Sequence, residues 1–325
     1  MQIRNALFAA LASLCTAITG TAAMAAEWPE RAVTIIVPAG AGGGTDATGR
    51  IIADMLKEKF SQPFNVVNQG GGGGFIGISG IANAKPDGYT LGIVYNYAQY
   101  SLLGIGDVGK SDYTPIAQYN FDPGGITVSA DSAFETVPQL LEAIASDPSS
   151  VVITCGGSCG GSFDSPLADL IIRQGIDISK VRFVPAQGAA AGLQDLVSGG
   201  VQVSPSSLPE VASLAKAGKV RPIGVFGGNR NALLPDVPTV EESTGLLING
   251  GAWRALMGPA GLPENITSQL AAAMDEIYHS DDFQKRLSDL GFGLLYRNSA
   301  DLEKFMGEHE KSTAVVLNAL GLAKN

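Results

Sequence analysis

Val33-Thr34-Ile35-Ile36-Val37-Pro38-Ala39-Gly40-Ala41-Gly42-Gly43-Gly44-Thr45-Asp46 is the stretch that decides the fold. Five consecutive β-branched residues read as a strand. After Asp46 the apolar residues Ile51, Ile52, Met55, Leu56 and Phe60 fall on one helical stripe. Strand, glycine loop and helix make one half of a parallel α/β unit, in which ligands sit at the carboxyl ends of strands. A helix N-terminus there offers unpaired N–H groups and about half a positive charge. Thr45 adds a hydroxyl, so an oxyanion can be held without a lysine. A plain tight turn capped by Thr45 or Asp46, worth roughly 1 kcal/mol, fits the same residues. Four glycines between positions 40 and 44 exceed what a turn needs, which favours binding. A nucleotide does not fit. The acid expected after the second strand is replaced by Asn68, and no Gly-Lys-Ser/Thr follows the loop.

The same alternation continues outward. Strand-like runs recur at Phe64–Asn68, Thr90–Val94, Val151–Thr154, Arg182–Val184, Val201–Ser204 and Val220–Phe226, with helical starts near Thr136, Pro166, Gly188 and Leu208. This β-α order predicts parallel sheets covered by helices on both faces. Pro263–His279, Asp281–Leu290 and Ser299–Leu320 read as three helices in a row. The chain divides into two halves with a crossover at Asp122-Pro123-Gly124-Gly125, each half carrying one glycine-rich turn after a strand. The expected division is 26–124 plus 249–325 for one lobe and 125–248 for the other.

The second glycine turn is Thr154-Cys155-Gly156-Gly157-Ser158-Cys159-Gly160-Gly161-Ser162. Gly156-x-Ser158-x-Gly160 matches a nucleophile elbow, so a secreted α/β hydrolase with Ser158 as nucleophile is the enzymatic alternative. That alternative needs a histidine, and the chain has only His279 and His309. His309 shares an apolar stripe with Leu302, Phe305, Met306, Val316, Leu317 and Leu320, the setting of a packed histidine. His279 falls at a helix C-terminus, where a cation suits the dipole. Cys155 and Cys159 can form a short-range disulfide or remain two buried thiols; with no histidine nearby, a metal site is not expected. Arg254, beside Trp253, is the cation best placed to take a carboxylate through a two-pronged fork. A hinge or salt-bridge role fits it equally.

Composition narrows the class. Residues 1–25 combine Arg4, an apolar stretch from Ala6 to Ala17 and the small-x-small site Ala23-Met24-Ala25, which reads as a secretory signal. Its removal takes away one base and no acid, leaving the rest one unit more acidic than the −10 of the whole chain. Such a charge argues against nucleic acid and anionic membrane surfaces. No later apolar run reaches the ~18 residues of a membrane span. Glycine numbers 42 of 325, nearly twice the usual ~7%, and charged residues only 16%.

Taken together, Trp28-Pro29, Val33–Pro38, Gly42-Gly43-Gly44-Thr45-Asp46, Asn68-Gln69-Gly70, Pro86-Asp87-Gly88-Tyr89-Thr90 and Leu234-Pro235-Asp236-Val237-Pro238-Thr239 resemble one family nearly end to end. It is the periplasmic solute-binding proteins of tripartite tricarboxylate transporters, the Bug-type receptors. The resemblance implies a two-lobed α/β periplasmic-binding-protein (Venus flytrap) fold, with doubly wound sheets and a ligand cleft between the lobes. It implies a monomeric, non-enzymatic periplasmic receptor that needs no cofactor. Such a receptor captures an organic di- or tricarboxylate and delivers it to membrane permease subunits; a sensory receptor of the same fold is the variant reading. By the same resemblance Gly42, Gly43, Thr45 and Asp46 of the first loop would meet the ligand. Gly157, Ser158, Gly160, Gly161 and Ser162 of the second loop would join them, with Gln187 and Arg254. Ala39 stands where many relatives carry an aromatic, and Gln187–Gly192 lacks a glutamate common in the tricarboxylate branch.

Overall fold

Val33–Val37 forms a parallel strand between two others, the position in which an unbroken apolar run is stable because both faces are covered. The computed structural model describes residues 28–324 except 158 and 187. The expected signal at 1–25 and the candidate residues Ser158 and Gln187 therefore lie outside the described residues. In chain order the strands are β1 (Val33–Val37), β2 (Phe64–Asn68), β3 (Thr90–Val94), β4 (Tyr113–Ser129), β5 (Val152–Cys155), β6 (Arg182–Pro185), β7 (Val203–Ser207), β8 (Val220–Val225), β9 (Gly251–Pro259) and β10 (Leu294–Arg297). The helices are α1 (Gly44–Phe60), α2 (Phe75–Ala82), α3 (Gln99–Leu102), α4 (Val137–Ser146), α5 (Asp164–Arg173), α6 (Ala189–Val197), α7 (Leu208–Lys216), α8 (Val240–Thr244), α9 (Glu264–His279), α10 (Asp281–Asp289) and α11 (Ser299–Ala319).

The sheet is mixed, curled and threaded by one long strand. Its order is β2-β1-β3-β9-β4-β7-β5-β6, with β10 and β8 also paired to β4. The β1–β3 and β5–β7 groups are parallel, as the alternation predicts, but β9 runs antiparallel to both β3 and β4. The expected purely parallel sheets are thus joined by an antiparallel centre. Residues 113–123 of β4 pair with β9, and residues 124–128 pair with β7. Asp122-Pro123-Gly124-Gly125, read as a crossover loop, lies within this continuous strand where it passes from one group to the other.

Apolar side chains collect on either side of that passage. Val33, Ile35, Ile52, Leu56, Leu256, Leu270 and Met274 belong to one cluster, drawn from both ends of the chain. Ile126, Leu140, Ile153, Leu167, Ile171 and Ile223 belong to another, drawn from the middle. The end of α11 reaches the second cluster through Leu320. Among the described residues no helix is long and apolar enough to cross a membrane.

Candidate functional site

After β1 the chain turns through a loop whose shape is set by Asp46, in the first turn of α1. Gly42 sits at φ +87°, where an L side chain is strained, and its N–H donates to Asp46 Oδ2 at 2.9 Å. The same carboxylate accepts from Arg50 Nε at 3.1 Å and from Asn68 Nδ2 at 2.9 Å. Burial alone would raise its pKa; the hydrogen bonds from Arg50, Gly42 and Asn68 outweigh burial and hold Asp46 below the usual carboxylate value. Asn68 also donates to Ala39 O at 3.2 Å, tying the loop to the end of β2.

The loop after β5 repeats this device. Gly160 sits at φ +88°, and its N–H and that of Gly161 donate to the Asp164 carboxylate in the first turn of α5. One element is missing. Asp46 has Arg50 four residues on, whereas the matching position after Asp164 is Ala168. Asp164 is 1% exposed. Burial pushes its carboxyl up to about 6 against the pull of the Gly160 and Gly161 amides. Cys155 and Cys159 are joined as a disulfide across the base of this loop, Cα to Cα 5.1 Å.

Both loops open on one cavity of about 380 Å³. Gly43, Gly44 and Thr45 bring the start of α1 to its wall, and Gly161, Ser162 and Phe163 bring the start of α5. Gly188, Ala189 and Ala190 add the start of α6, and Gly73 and Gly74 the start of α2. The first N–H groups of a helix have no partner within it, and each N-terminus carries about half a positive charge. The starts of α1 and α6 present such groups here, whereas Phe75 N–H at α2 is already accepted by Gly71 O, and at α5 Ser165 N–H is accepted by Gly161 O and Pro166 has none. Tyr95, Asn96 and Gln99, just past the end of β3, complete the wall.

The two glycine-rich loops of the first half touch directly. A Cβ on Gly70 would sit 2.9 Å from Ala39 C and Gly40 N, backbone atoms that cannot swing aside. Gly70→Ala is therefore expected to displace the 38–43 loop and weaken ligand binding about tenfold, equivalent to about 1.4 kcal/mol. Calorimetric titration against wild type checks this; an unchanged Kd would show that the loop's position is immaterial.

Arg254, on β9, lies across from Asn120 of β4 in the strand register. Its Nη1 donates to Asn120 Oδ1 and Asp122 Oδ2, and its Nε donates to Thr45 Oγ1 at 3.1 Å. Burial opposes its charge, but Asp122 outweighs burial and keeps the guanidinium firmly protonated. Two consequences follow. Arg254 does not stand as a bare cation in the cavity, since Asp122 neutralises it at contact. Thr45, accepting from Arg254, has its hydroxyl hydrogen left for an acceptor on the cavity side.

Of the residues singled out in the sequence, Gly43, Thr45, Gly157, Gly161, Ser162 and Arg254 line the cavity. Gly42, Asp46 and Gly160 stand behind that wall and hold its shape through the loop bonds just described. Residues not anticipated are Tyr95, Asn96 and Gln99, the α6 start at Ala189 and Ala190, and the acids Asp164 and Glu210. Strand ends flag most of them: Tyr95 follows β3, and Glu210 lies three residues past β7. His309 packs against Phe305, Trp253 and Tyr97 with its Nε2 enclosed, and His279 accompanies Asp275 at an exposed helix end. Among the described residues, no histidine lines the cavity and no cluster of acids, cysteines or histidines is arranged to hold a metal.

Residues 48–322 match the family described as "Tripartite tricarboxylate transporter family receptor". A solute-binding protein of this family from Polaromonas, solved without ligand, is 29% identical; the match covers 90% of this chain and 99% of that one, with a TM-score of 0.70. A protein from Rhodopseudomonas palustris solved with adipate is 26% identical over 91% of this chain and 99% of its own, with a TM-score of 0.83. MatC from the same organism, solved with bound malate, is 25% identical over 89% and 100%, with a TM-score of 0.79.

Proposed function

We propose, for a chain that belongs to the tripartite tricarboxylate transporter receptor family, the function of a binding receptor that captures an organic dicarboxylate outside the cytoplasmic membrane and delivers it to a membrane permease. The observation that carries this reading is the convergence of two tethered glycine-rich loops and the open N-termini of α1 and α6 on one cavity whose arginine is already neutralised. Backbone amides and the Thr45 hydroxyl then hold the ligand carboxylates, and the wall residues Gly43, Gly157, Gly161 and Ser162 supply close approach. Gly42, Asp46, Gly160 and Asp164 keep the two loops in register with the ligand. Two carboxylates suit the site better than three, because Asp164 and Glu210 already bring negative charge to the wall. The adipate and malate structures of related proteins support the same ligand class.

The division into lobes 26–124 plus 249–325 and 125–248, with the end of α11 resting on the second lobe, makes the cavity an interlobe cleft. Ligand held by the α1 loop on one side and by the loop before α5 and the start of α6 on the other shifts the population toward closure.

Thermal melts of the protein with succinate, malate, adipate, citrate and tricarballylate test the reading. A ligand at 100 times its Kd stabilises by about 2.7 kcal/mol. At least one dicarboxylate is expected to do so, and to do so better than citrate. No shift with any carboxylate would overturn the receptor assignment.

A further inference from the structure

We propose that the cleft continues into an apolar compartment that takes a hydrocarbon or aryl arm carried by the carboxylate ligand. The inference rests on the receptor reading above and sharpens its ligand class. A groove of about 650 Å³ opens beside the first cavity, and the two share Gly43, Gly44, Ala190 and Glu210 in their walls. Beyond that junction the groove is walled by Leu193 and Val197 of α6, Leu214 of α7, and Leu290 and Phe292 between α10 and β10. Ala190, Leu193 and Val197 fall at the three- and seven-residue spacing of one helix face. Val197 is 43% and Leu290 49% exposed, so the groove leaves apolar surface in water that a ligand arm would cover.

The junction explains how such a ligand would be oriented. Gly43 presents no side chain there, with nothing nearer than 3.9 Å to where one would start, while Gly44 lets Arg254 and Phe292 pack against the backbone at the edge of the passage. Glu210 is the charged residue among those lining the groove, and it repels a carboxylate from entering. The anionic head is therefore directed to the helix N-termini and the uncharged arm to Leu193, Val197 and Leu290. Continuity with the anion cavity is what favours a ligand arm over a second protein as the occupant.

The test uses whichever of succinate and adipate binds more tightly, together with its methyl, butyl, benzyl and octyl derivatives substituted beside one carboxyl. Calorimetric affinity is expected to rise about three- to fourfold per methylene placed in the groove. Val197→Ser and Leu290→Ser are expected to bring the benzyl-to-parent affinity ratio down toward one. A wild-type ratio of one, or a ratio unchanged in both variants, overturns the apolar compartment while leaving the receptor reading intact. If none of these, nor malate, citrate or tricarballylate, binds, the receptor reading itself fails and this inference with it. A sedimentation dimer that Leu290→Ser disperses would assign the groove to a second copy and likewise overturn the proposal.

Discussion

Arg254→Met is expected to destabilise the protein by roughly 3–5 kcal/mol, because it strands a buried carboxylate. Asp122 is 1% exposed and Arg254 3%, so neither side chain can turn to water when the other is lost. Ligand affinity should fall as well, by roughly 10- to 100-fold, the worth of one charge-assisted hydrogen bond. The reason is indirect. Without the Arg254 Nε–H, Thr45 loses the donor that leaves its own hydroxyl hydrogen for the ligand. The two effects separate in the double variant Arg254→Met/Asp122→Asn. An asparagine at 122 keeps an acceptor for Asn120 Nδ2 and Gly293 N, which now reach Asp122 Oδ1 at 2.9 and 2.8 Å. Urea unfolding should show most of the stability restored, while calorimetry should show affinity still low. Full stability in the single variant would remove the buried pair from the fold's requirements. Recovered affinity in the double variant would confine Arg254 to a structural part.

What was readable in the sequence, and what was not, follows from the range of the interactions involved. β1 and its loop were readable because a β-branched run, a glycine cluster and a helical stripe are all local. The Gly42–Asp46 and Gly160–Asp164 bonds also span only four residues, but both aspartates look like ordinary helix-start acids. Their role as loop tethers emerges only when the loops are seen. β4 was not readable as a strand. Pro115 and Pro123 break its pattern, yet Pro115 sits beside a register shift and Pro123 where the strand changes sheets. Its alternating Gln118, Asn120 and Asp122 are polar where a strand facing the core should be apolar. That alternation was itself the signal of a buried polar face awaiting a cation. The cation, Arg254, lies more than 130 residues away, a separation that no local pattern bridges.

The glycine excess and the shortage of charge have one physical cause. A site built from helix ends needs backbone brought close to the ligand, and side chains would keep it away. Formal charges are then used to hold the backbone: Asp46 and Asp164 each tie down amides, and Asp122 neutralises Arg254. Each buried charge used this way has to be stabilised by its surroundings, and the three are stabilised unequally. Asp46 has Arg50 and Asp122 has Arg254, while Asp164 has backbone amides.

That inequality predicts a pH dependence of stability that is hidden in the wild type. Asp164 titrates near 6 in the folded protein against 3.8 for an unperturbed carboxyl. The stability linked to its proton is complete below pH 4 and is lost as pH rises through 6, a change of about 3 kcal/mol. His309 acts in the same window with the opposite sign. Burial among Phe305, Trp253 and Tyr97 lowers its pKa from 6.5 to about 4. The stability linked to its neutral form is complete above 6.5 and is lost as pH falls through 4, again by about 3 kcal/mol. Between pH 4 and 7 the two contributions nearly cancel. Asp164→Asn should therefore lose about 3 kcal/mol relative to wild type on going from pH 7 to 4, and His309→Phe should gain as much. Urea unfolding of the three proteins at pH 4, 5, 6 and 7 measures both differences directly. Because each slope is taken against wild type, contributions from other carboxylates drop out. Curves that run parallel to wild type for both variants would show that neither group is held away from its ordinary pKa by the fold.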